Sequence, residues 1–163
     1  LVEKGTNQRI VKDVMVVNVV AIQRGTKYPN RFIIMSGDID SRVSDPTDFT
    51  SDSPGANDNA SGMAGAIEAA RVLSKYKFES SIIYVGLSGE EQGLFGGQGL
   101  AKYAQDNNWD VVGILNNDMI GNMVSLTTAP LEFSLNQSLQ TKVSVHVEQD
   151  VSMVVKSMVF RVS

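Results

Sequence analysis

A chain of 163 residues, 42% apolar and 20% charged, has the length and composition of one domain with a substantial core. Its net charge of −4, with no cluster of lysines and arginines, argues against a nucleic-acid partner. The lack of cysteine removes disulfides, cysteine metal sites and thiol nucleophiles together. No apolar run approaches the roughly 20 residues of a membrane span. The chain opens on Leu1 rather than Met, which fits removal of a signal peptide and sets the expectation of an extracellular or periplasmic protein.

In chain order, "VMVVNVVAI" (Val14–Ile22) is β-branched and apolar on both faces, the pattern of a buried strand. A turn at Pro29-Asn30 precedes a second strand, "RFIIMSG" (Arg31–Gly37). The polar stretch from Asp38 to Asn59 reads as a long loop, a place where function concentrates. "ASGMAGAIEAARVLSKY" (Ala60–Tyr76) carries apolar residues at helical spacing, with Asn59 or Ser61 as the cap. "SSIIYVGLS" (Ser80–Ser88) is a third buried strand, and "GLFGGQGLAKYAQDN" (Gly93–Asn107) a helix weakened by glycine. A fourth strand within "WDVVGILNNDMIG" (Trp109–Gly121) ends near Asn116. The alternation predicts an α/β fold, a mostly parallel sheet flanked by helices.

The pattern changes after Met123. "PLEFSLNQ" and "KVSVHVEQD" alternate apolar and polar residues, as half-exposed strands do. The expected division is therefore an α/β core over residues 1–122 and a β-rich segment over 123–163. An edge strand such as Lys142–Glu148 is available to pair with a second copy of the chain.

The acids fall at strand ends. Asp38 and Asp40 follow the second strand, Glu90 and Glu91 the third, and Asp118 the fourth, while Asp58 precedes the first helix. Open α/β sheets bind ligands beyond the carboxyl ends of their strands, so these carboxylates are expected to converge on one edge. Two unit charges about 4 Å apart repel by roughly 4 kcal/mol at an effective dielectric near 20, and Arg42 is the only cation within these motifs. A divalent metal would remove the conflict. An EF-hand loop starting at Asp38 fails, because its sixth and twelfth positions hold Val43 and Phe49 instead of glycine and an acid.

With these residues assembled, the chain resembles the zinc-dependent aminopeptidases related to bacterial leucyl aminopeptidase, whose fold glutaminyl cyclases share. "NVVAIQRG", "IIMSGDIDSR", "SPGANDNASGMAGAIEAARVL", "GLSGEEQGLFGG" and "LNNDMIGN" carry the likeness, in family order, over about residues 15 to 122. The resemblance implies a zinc-exopeptidase-like fold acting on a peptide with a free N-terminus. It implies that Asp58 bridges two metal ions, that Glu91 binds the first and Asp118 the second. Glu90 would be the general base, taking a proton from a metal-bound water and passing it to the leaving amine.

Two positions depart from the family pattern. Asp38 stands where the family has a metal-binding histidine, and Asp40 is the aspartate that would orient that histidine. A second site of Asp38, Asp58 and Asp118 is all oxygen, which makes Mn, Mg or Ca more competitive with zinc. The family's final histidine ligand has no clear counterpart. The single histidine, His146, sits on the polar side of an alternating stretch and reads as a strand residue more readily than as a ligand. An impaired site is the expectation. Two other functions fit the same acids: a glutaminyl-cyclase-like acyl transfer at one metal, and a peptidase-like binding module without activity.

Overall fold

A computed structural model of the chain describes residues 1–121 and the short strand Ser157–Met158. Among the described residues, five strands form one mixed sheet: β1 (Val19–Gln23), β2 (Tyr28–Asp38), β3 (Ser80–Leu87), β4 (Asp110–Asn117) and β5 (Ser157–Met158), in the order β1-β3-β2-β4-β5. The central three, β3, β2 and β4, run parallel, while β1 and β5 pair antiparallel at the two sides. Two helices, α1 (Ala60–Leu73) and α2 (Phe95–Asp106), make the crossovers. Apart from β5, the β-rich segment expected over 123–163, with Lys142–Glu148 and His146, lies outside the described residues.

Side chains alternate across a strand, and β2 uses both faces. On one face Phe32 and Ile34 join Ile83 and Val85 of β3 in the buried core, with Leu100 of α2, Trp109, Val111 and Ile114 packed against it. Phe32 and Trp109 lie 4.7 Å apart between ring centroids. Burying each such side chain contributes about 2 kcal/mol. On the other face α1 crosses β2, β3 and β4. Gly37 makes this close approach possible, since a Cβ there would meet the backbone of Gly62 and Met63 at 2.8 and 2.9 Å.

The expected buried strand Val14–Ile22 requires correction. The strand begins at Val19, among the described residues it pairs with β3 alone, and Val19 and Val20 are 64% and 43% exposed. Apolarity on both faces predicts burial only where both faces are covered, and α1 packs on the three central strands instead. Strand β2 begins at Tyr28, and a register shift between Tyr28 and Phe32 absorbs Pro29-Asn30 without a turn; proline, with no N–H to give, is tolerated at such a bulge. Helix α1 stops at Leu73, short of the expected Tyr76. There Gln23 Nε2 donates to the carbonyls of Leu73 and Tyr76 at 3.1 and 2.7 Å, and Tyr84 donates to Gln23 Oε1. Helix α2 starts at Phe95 because Gly93 and Leu94 both adopt positive φ.

Candidate metal-dependent active site

Parallel pairing brings the carboxyl ends of β3, β2 and β4 to one edge. Asp38 is the last residue of β2, Glu90 lies three residues beyond β3, and Asp118 directly follows β4. Asp58 sits just ahead of α1 and is exposed. The acids feel one another's charge. Asp38 is pushed up to about 6, first by burial and then by Asp118, Asp40 and Asp58, with a hydrogen bond from Asn59 opposing the rise. Glu90 is pushed up to about 7, first by burial and then by Asp38, Glu91, Asp40 and Asp118.

Asn59 ties the edge together. It is 2% exposed, and its side chain reaches three segments. Nδ2 donates to Asp38 Oδ2 at 3.1 Å and to the Asn117 carbonyl at 2.9 Å. Oδ1 accepts from the backbone N–H of Gly62 and of Met119, at 3.1 and 3.2 Å. The first of these caps α1, and the others lock the ends of β2 and β4 to its N-terminus. Gly62 is required beside it, because a Cβ there would run into the Asn117 carbonyl and Asn59 Oδ1.

The loop after β3 is set by two other side chains. Asn18 Oδ1 accepts from the Ser88 N–H and its Nδ2 donates to the Gly96 carbonyl, at 3.1 and 2.8 Å. Asp40 accepts from the backbone N–H groups of Glu90 and Glu91, each at 3.1 Å. With no histidine at position 38 to orient, Asp40 instead positions the two glutamates through their main chain. The carboxylate of Glu91 pairs with Arg42 Nε at 2.5 Å.

The side chains able to hold a divalent cation at this edge are Asp38, Asp58, Glu91 and Asp118, all oxygen donors. Among the described residues, no three of them are disposed as a metal-binding group. Glu91 is turned to Arg42 and Asp40 is engaged by the loop, so the edge is gathered without being closed into a coordination shell. The donor chemistry still fits a divalent cation. Asp38 and Glu90 bind protons more tightly first because they are buried and then because negative charge surrounds them, and a cation offsets the second cause.

A pH dependence follows for the metal-free chain. Both carboxyls hold protons more tightly folded than unfolded, so the folded state carries extra protons between about pH 4 and 7, and stability falls as pH rises through that window. Asp38→Asn keeps an acceptor for Asn59 and removes the charge. It is expected to raise the stability of the metal-free chain at pH 8 by on the order of 1–2 kcal/mol and to flatten the profile. Urea denaturation in chelator from pH 4 to 8 measures both effects; an Asp38→Asn variant less stable than the native chain at pH 8 would refute the account.

The acids are identifiable from sequence by their positions after strands. Asn59 is expected there only as a possible cap, and Asn18 is not singled out. The signal available for Asn59 is its place between Asp58 and the small residues Ala60, Ser61 and Gly62, a stretch in which side chains are short enough for backbone to approach.

Comparison with known proteins gives a consistent result. The model for Peptidase family M28 matches residues 18–160. A probable zinc metalloprotease of Leptosphaeria maculans is 49% identical over 113 residues, which is 69% of this chain and 26% of that protein. A probable zinc metalloprotease of Pyrenophora tritici-repentis is 46% identical over 118 residues, 72% of this chain and 24% of that protein. Among solved structures, the aminopeptidase from Aneurinibacillus sp. strain AM-1 superposes with a TM-score of 0.53 at 33% identity, covering 64% of this chain and 24% of that one. A zinc aminopeptidase from Bacillus subtilis gives 0.55 at 25% identity, covering 65% and 25%. The chain thus spans about a quarter of the length of the curated relatives it matches.

Proposed function

The chain belongs to Peptidase family M28, and from that premise we propose that it supplies the catalytic edge of a zinc-dependent aminopeptidase, an exopeptidase that removes N-terminal residues from peptides. Asp38, Asp58, Glu91 and Asp118 would hold the metal. When bound, the ion supplies Lewis acidity, polarising the scissile carbonyl and making water more acidic. Glu90 accepts a proton from the attacking water and returns it to the departing amine, so that a C–N bond is exchanged for a C–O bond with no net proton change. Asp40 holds Glu90 in place through the main chain. The surplus negative charge of the edge attracts the free α-ammonium of the substrate.

The observation that carries this reading is the placement of Glu90: a half-buried carboxyl three residues beyond β3, at the carboxyl ends of the parallel strands, with its backbone N–H held by Asp40 Oδ1 at 3.1 Å. A carboxylate fixed beside the proposed ligands without being one of them is suited to taking and returning a proton. The relatives' names support zinc and proteolysis.

The test is hydrolysis of aminoacyl p-nitroanilides by the full chain after addition of Zn²⁺ or Mn²⁺. Turnover is expected to vanish with chelator, to return with metal and to be absent on N-acetylated substrates. Equal cleavage of blocked and free substrates would overturn the exopeptidase reading. Cyclisation of N-terminal glutaminyl peptides without hydrolysis would favour acyl transfer, and silence in every metal would favour an inactive module.

A further inference from the structure

Glu91 is held at all three of its polar groups by residues distant in sequence. Its N–H donates to Asp40 Oδ2 at 3.1 Å, its carbonyl accepts from Arg9 Nη1, and its carboxylate pairs with Arg42 Nε. The side chain of Glu91 is only 12% exposed, while that of Arg42 is 36% exposed. The guanidinium of Arg42 also donates through Nη1 to the carbonyls of Val43 and Ser44, at 3.1 and 3.4 Å. Arg42 is thus anchored in its own loop and touches the acid edge through one nitrogen.

We propose that Arg42 is a resident counter-cation that holds the carboxylate of Glu91 in the metal-free protein and must let go of it for a divalent ion to be captured. The inference rests on the reading of this edge as a metal site. A guanidinium is permanently charged, so the pairing persists across the working pH range. It offsets part of the repulsion among the acids, which would otherwise drive the edge apart before metal arrives. Because Asp40 and Arg9 pin the backbone of Glu91, the exchange needs only side-chain movement. A divalent ion and Arg42 then compete for the same carboxylate. Arg42 is a positioning residue in this scheme and takes no part in the bond changes.

The experiment is direct binding of Zn²⁺ and of Mn²⁺ to the full chain by calorimetry, with association followed by stopped-flow mixing in the presence of a fluorescent indicator of free metal. Arg42→Gln removes the charge, and Arg42→Lys retains it. The Gln variant is expected to bind metal about tenfold more tightly, equivalent to about 1.4 kcal/mol, with the Lys variant within about threefold of the native chain. Native association is expected to reach a limiting rate set by release of the carboxylate, and that limit should disappear in the Gln variant. Unchanged or weaker metal affinity in the Gln variant, with the native chain still binding, overturns the counter-cation role and leaves the metal site standing. A Lys variant that binds as tightly as the Gln variant overturns the charge argument. Absence of binding in all three chains overturns both this proposal and the metal reading. Metal-free thermal melts of each variant confirm that the comparison is between folded chains.

Discussion

Asn59→Ala is expected to lower the unfolding free energy by about 3–5 kcal/mol, a large part of the 5–15 kcal/mol that holds a domain together. The substitution leaves the Met119 N–H and the Asn117 carbonyl without the partner they have at Asn59, and it strips the cap from α1. Each orphaned buried group costs about 1–3 kcal/mol, and loss of a cap about 1 kcal/mol. Asn59→Asp is expected to be at least as harmful at neutral pH, although it keeps the cap. Its carboxylate would turn acceptors toward Asp38 and the Asn117 carbonyl, where Nδ2 now donates. Denaturant midpoints with unchanged slopes would measure both losses. A decrease under about 1 kcal/mol for the Ala variant would show that Asn59 is an ordinary cap and not the tie among three segments.

Glu90→Gln is expected to reduce turnover by about 10²–10⁴-fold, the range for removing a general acid–base group. The amide keeps the size of the side chain and cannot take the proton from water. Metal content should be nearly unchanged, because the four proposed ligands, Asp38, Asp58, Glu91 and Asp118, remain. A Glu91→Gln substitution should do the reverse in order, weakening metal first and losing activity as a consequence. Single-turnover assays paired with metal analysis separate the two. If the Glu90→Gln variant lost its metal in proportion to its activity, Glu90 would be a ligand and the division of labour between the neighbouring glutamates would be wrong.

The central architecture was legible because its signals are local. Each of β2, β3, β4, α1 and α2 has a one-dimensional pattern of apolar residues, and each begins and ends within a few residues of where that pattern does. That the strands followed by the acids end at one edge was expected from one further rule, that parallel strands share an edge. The covering of β1 was not legible, since Val19, Val20 and Ile22 cannot announce whether anything lies over them. Nor were the roles of Asn18, Asn59 and Asp40. Each acts on main-chain groups of a segment remote in sequence, 50 residues away for Asp40 and Glu90 and 70 for Asn18 and Ser88. Backbone acceptors and donors look alike in every sequence, so such bonds leave no compositional trace. Arg42 was visible as the lone cation of the motifs, and its choice of Glu91 was not.

The parallel run β3-β2-β4 has a consequence for how the molecule comes into being. Loop closure between segments this far apart is entropically demanding, and pairings of this kind form late and slowly. The hydrogen bonds within α1 and α2 are local and need no such closure. Chelation capacity should therefore lag behind helical circular dichroism during refolding, and a nascent chain would carry its acids long before it could sequester an ion.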